Sequence, residues 1–172
     1  MRRRLTISLI VVAVATGSML IGGAQSGSAS SDHRDLLINR TKTVFEGGPF
    51  EGDNVTLYGS GRWNTVNGRI DAEGVLVHRH PDGQLVARAV WKAVGVESFT
   101  SYGSSPPLEG GQLVLDVRFF PTGERSFTVP DFTVNCLFGS PPPGIEEGVT
   151  VPSLGLTESV DQPHRLTLFL QI

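Results

Sequence analysis

His78-Arg79-His80 is the constellation in this chain with the clearest chemical potential, because alternate residues on a strand present two imidazoles to one side, an arrangement metal sites in β proteins use. The neighbourhood opposes that reading. If Pro81-Asp82-Gly83 forms a turn that pairs His80 with Gln84, the histidines share a face with Gln84, Arg88 and Lys92, whose cations disfavour a divalent ion. No carboxylate follows at short spacing to complete a set of three or four ligands. Cys136 is a second candidate. A nucleophilic thiolate needs a basic neighbour such as His164, but the alternation of Phe132, Val134, Cys136 and Phe138 reads as a small buried hydrophobe among apolar side chains.

Tyr58-Gly59-Ser60-Gly61-Arg62-Trp63 joins aromatics to flexible glycines and, with Tyr102, could form a sugar-stacking platform. The competing reading is a bulge or corner with Trp63 in the core. Glu146-Glu147 and Asp161 could offer oxygens to calcium, but the spacing of a calcium loop is absent and solvated charge is the simpler reading. Gly59-Ser60-Gly61 lacks the outer spacing of a serine-nucleophile elbow, and a lone G-x-G without a following helix does not specify phosphate. Asn39-Arg40-Thr41 and Asn54-Val55-Thr56 match glycosylation acceptors, which matter only in a host with that machinery. No residue is therefore assigned as catalytic, cofactor-binding or metal-ligating, and no cofactor is implied.

The elements that must position these groups follow from the pattern along the chain. Arg2, Arg3 and Arg4 precede an apolar run over residues 5–21 and a small-residue tail, the order of a secretory signal. Cleavage is expected after Ala29, with Ala24 the other small-x-small site, giving a signal peptide over residues 1–29; an uncleaved anchor is the alternative. A polar tether over residues 30–40 is expected to be flexible, leaving a single all-β domain over residues 41–172 in a secreted, periplasmic or extracellular location.

Without the three N-terminal arginines the chain holds 11 Lys plus Arg against 17 Asp plus Glu, a formal charge of −6. That balance excludes nucleic acid and, after signal cleavage, membrane as partners, since both need clustered cations. An unknown small molecule, glycan or protein is left. One cysteine permits no internal disulfide, so packing or assembly must stabilise the domain.

Two hairpins are readable. The turn at Pro81-Asp82-Gly83 is expected to set Val75 and Val77 beside Ala87 and Ala89, with Leu85 and Trp91 on the same buried face. The turn at Pro121-Thr122-Gly123 sets Leu113, Leu115, Val117 and Phe119 against Phe127 and Val129, and leaves Asp116, Arg118, Glu124, Ser126 and Thr128 wet. Further alternating runs end in Leu166, Leu168, Leu170 and Ile172, and weaker ones lie at residues 41–45, 54–58 and 95–100. Residues 139–163 form the longest irregular stretch, with room for a short edge strand at 149–151. The expected class is all-β: an antiparallel β-sandwich or small β-barrel of about eight strands with long irregular loops. On these grounds the chain is read as an exported ligand-binding or surface module, or alternatively a small barrel enzyme of isomerase or cyclase type with its site in the barrel mouth.

Overall fold

A computed structural model describes residues 32–158 and 166–172, so the segment expected to be a signal peptide, His164 and Asp161 lie outside the described residues. The described chain is one antiparallel sheet of nine strands: β1 (His33–Phe45), β2 (Asn54–Asn64), β3 (Ile70–Arg79), β4 (Leu85–Ser105), β5 (Leu108–Pro121), β6 (Phe127–Cys136), β7 (Gly148–Thr150), β8 (Leu156–Glu158) and β9 (Leu166–Gln171). Strands β1 to β5 form a meander, and β9 returns to pair with both β1 and the start of β5, which bends six strands into a near-closed ring. The ring resolves the choice between sandwich and barrel in favour of a small barrel. Beyond β9, the seam between β5 and β1 is spanned by β6, β7 and β8, linked by the Val151–Leu156 bridge.

Period-two alternation drives this closure. Leu113, Leu115, Val117 and Phe119 of β5 are fully buried as expected, and Val129 opposes Val117. Phe127 opposes Phe119 but is half uncovered, because it lies at an open end of the ring. Cys136 follows Phe132 and Val134 into the core, whereas Phe138, past the end of β6, is exposed.

The expected tether over residues 30–40 is a correction. Strand β1 begins at His33, and Leu36 and Ile38 alternate into the core between β2 and β9. Their burial offsets the ordering of a segment whose flanking residues are polar. The stretch at residues 139–158 holds the expected edge strand as β7, together with β8.

The first hairpin corrects the expected register. His80 N–H does donate to Gln84 O at 2.9 Å, but Val86 is an extra residue between the pairs Arg79–Leu85 and His78–Ala87. This bulge moves every later residue of β4 by one step, so Val75 and Val77 pair with Val90 and Arg88 on the outer face. Leu85 and Val75 are exposed. Trp91 explains the shift. In the unbulged register it would face Glu73; in the observed one it sits opposite Gly74, which itself pairs with Gly59. The indole fills the space over both glycines and donates Nε1–H to Tyr58 O at 3.0 Å. The glycines of the Tyr58–Trp63 segment are therefore there for packing, because a β-carbon at Gly59 would collide with Trp91 and one at Gly61 with Ala72.

One end of the ring is stoppered by Trp63, Phe99 and Phe169, whose rings meet edge to face at 5.2–5.7 Å. Beside them Glu109, buried, accepts from Arg34, from Ser101 Oγ at 2.9 Å and from Gln171 Nε2 at 3.2 Å, tying β1, β4, β5 and β9 together.

Candidate site in the open mouth of the ring

The other end is open, and the corrected register decides what faces it. With Ala87 and Leu76, His78 turns inward, where its side chain is only 8% exposed. His80 lies past the end of β3 at the rim. Arg79 between them donates to Gly83 O at 2.8 Å and so braces the turn.

Both imidazoles reach one carboxylate. His78 Nε2 lies 2.8 Å from Asp53 Oδ2, and His80 Nδ1 lies 3.0 Å from Asp53 Oδ1. The β1–β2 connection supplies Asp53, directly before β2, whose Asn54 pairs with Arg79. Antiparallel pairing thus brings together residues 25 apart in sequence. A search for a carboxylate close to the histidines in sequence misses it; the signal is the Glu51-Gly52-Asp53 turn that must open the neighbouring strand.

Asp53 is 4% exposed, and the hydrogen bond from His80, followed by that from His78, holds its carboxyl below the ordinary carboxylate range against the opposing effect of burial. Among the described residues no group of three or more His, Cys, Asp or Glu is arranged to hold a metal ion. The geometry is that of a carboxylate orienting an imidazole.

His78 lines a cavity of about 800 Å³ whose walls include Phe45, Phe50, Leu76, Phe119 and Phe127. Phe45 and Phe50 each lie 5.1 Å from the imidazole, centroid to centroid. Arg88 and Glu124 border the cavity, but the bulge places Arg88 between inward-facing Ala87 and Ala89, so its side chain belongs to the outer face with Val77. A larger hollow of about 1220 Å³ lies at the β1–β2 surface, beside the Arg62–Asp35 pair at 2.9 Å. Its charged lining is solvated, and such a pair contributes at most about 1 kcal/mol.

The remaining candidates separate. Trp63 is in the core, which removes the centre of the stacking platform; Tyr58 is on the outer face and Tyr102 is half-buried on β4. Tyr58, Val75, Val90 and Phe120 instead form an exposed cross-strand ladder outside the ring. Cys136 is buried, and that burial pushes its thiol above the ordinary range, which suits packing and not nucleophilic attack. Glu147 accepts from the backbone N–H groups of Leu137 at 2.6 Å and Thr167 at 2.9 Å, so it fastens the loop before β7 to β6 and β9. No protein-family model, no curated protein and no solved structure matches this chain.

Proposed function

We propose that this chain is an exported binding module that takes a small, predominantly apolar molecule into the mouth of its β ring. The observation that carries the reading is the cavity of about 800 Å³, walled by phenyl rings and offering one carboxylate-oriented imidazole. Cavities of this size, apolar with few convergent polar groups, suit small-molecule ligands. Export follows from the order of charge and hydropathy in the first thirty residues.

N-phenyl-1-naphthylamine, a neutral fluorescent probe, is expected to bind one to one with enhanced emission. Ala87→Leu and Ala87→Trp, which fill the space opposite His78, should weaken binding in that order while the protein still melts cooperatively. No binding, or affinity indifferent to both substitutions, would overturn the reading.

A second reading has its own support: an Asp-oriented imidazole in an apolar cavity is also the arrangement of a general base, as an isomerase or cyclase requires. Conversion of cyclohex-3-enone to cyclohex-2-enone needs one proton removed from C2 and one delivered to C4. Turnover lost in His78→Gln would favour the enzyme; absence of turnover in the unaltered protein would count against it.

A further inference from the structure

Resting on the binding reading above, we infer that the mouth ligand is an apolar molecule bearing one hydrogen-bond donor, a phenol or alcohol, and that His78 Nδ1 receives it. The carboxyl of Asp53 places one proton on each imidazole. Its carboxyl is held below the ordinary range and is ionised at neutral pH, so it can only accept hydrogen bonds. Both histidine contacts must then be N–H donations: Nε2–H from His78 and Nδ1–H from His80. In the neutral ring, a proton on Nε2 leaves Nδ1 of His78 as a lone-pair acceptor.

That acceptor has no hydrogen bond among the described residues, although the ring is more than nine-tenths buried and lines the cavity. The flanking rings of Phe45 and Phe50 carry no donor. A ligand that supplies one O–H satisfies the site; an unsubstituted hydrocarbon leaves the acceptor unmatched.

Charge points the same way. Asp53 lies behind the imidazole and Glu124 at the border, so two carboxylates oppose a carboxylate ligand, while the register turns Arg88, also at the border, toward the outer face. Fatty-acid-like anions are therefore the disfavoured class of amphiphile.

Three probes sharing one apolar body test this: 1-naphthol, 1-methylnaphthalene and 1-naphthoate, titrated calorimetrically into the purified protein and into His78→Phe. The naphthol should bind about three- to tenfold more tightly than 1-methylnaphthalene. In His78→Phe the gap should close to within about twofold, a hydrogen-bond loss with cavity affinity kept. In unaltered protein labelled with ¹⁵N-histidine, the Nδ1 resonance of His78 should move with naphthol and stay with 1-methylnaphthalene, a readout that does not depend on the variant folding. Equal binding of naphthol and methylnaphthalene, tightest binding of naphthoate, or an Nδ1 signal unmoved by bound naphthol would overturn the donor inference and leave the cavity reading standing. Failure of all three probes to bind would overturn both.

Discussion

Adding a single methyl group at Gly59 or Gly74 should destabilise the ring far more than a glycine-to-alanine change usually does. Neither position has positive φ, so the backbone tolerates alanine and the whole effect is steric. At Gly59 a β-carbon would lie 2.0 Å from Cζ2 of Trp91, and at Gly74 it would lie 1.9 Å from Tyr58 O and 2.6 Å from Nε1 of Trp91. Carbon atoms prefer about 3.5 Å or more, so the indole must retreat by about 1.5 Å, within a ring that is already close-packed. Overpacking of this kind costs about 1–3 kcal/mol. Losing the part-buried Trp91 Nε1–H bond to Tyr58 O adds about 1 kcal/mol, for about 2–4 kcal/mol in all. Urea unfolding of Gly59→Ala, Trp91→Ala and the double variant measures this as a cycle. Trp91→Ala alone is expected to cost about 3–5 kcal/mol. In its background Gly59→Ala should be close to neutral, a coupling of at least about 2 kcal/mol. Additivity within about 0.5 kcal/mol would refute the packing of Trp91 over the two glycines, and with it the bulge that turns His78 inward.

Acid should act through Asp53. Its carboxyl titrates below its unfolded value, so its stabilising contribution is complete above the ordinary carboxylate range near about pH 4 and is lost as pH falls through the depressed folded value. Denaturant midpoints taken down to about pH 2 should fall less steeply for Asp53→Asn than for the unaltered protein; parallel acid limbs would contradict the assignment. Arg34→Met leaves Glu109 buried beside only the neutral donors Ser101 and Gln171, and is expected to cost about 3–5 kcal/mol in chemical denaturation; a loss under about 1 kcal/mol would show that the network is not what joins β1, β5 and β9. Removing residues 166–172 deletes buried Phe169 and the only strand pairing both β1 and β5 among the described residues, so the shortened chain should lack a cooperative melt; a native melting temperature would contradict the ring closure.

The parts of the fold legible in the sequence are those where local pattern and turn chemistry act together. Gly123 adopts the positive φ its turn requires, and from Phe119–Phe127 to Val117–Val129 the pairing follows the alternation without interruption. At the other hairpin the turn was equally readable, yet one residue, Val86, reverses the faces beyond it, because register answered to Trp91 and the glycines of β2 and β3, a demand set across strands. The same long-range origin hid the site. His78 and His80 stand out in the sequence, but Asp53 joins them only through the β2–β3 pairing. The polar look of residues 32–35 concealed a strand edge that Leu36 and Ile38 anchor.

Isotope-filtered NOE spectroscopy with bound N-phenyl-1-naphthylamine tests the central claim most directly, because it locates an apolar ligand on the protein. Contacts from the probe to the ring protons of Phe45, Phe50 and Phe119 and to the methyls of Leu76 are the result predicted by a binding cavity in the mouth. Contacts confined to Val75, Val90 and Phe120 on the outer face would contradict it.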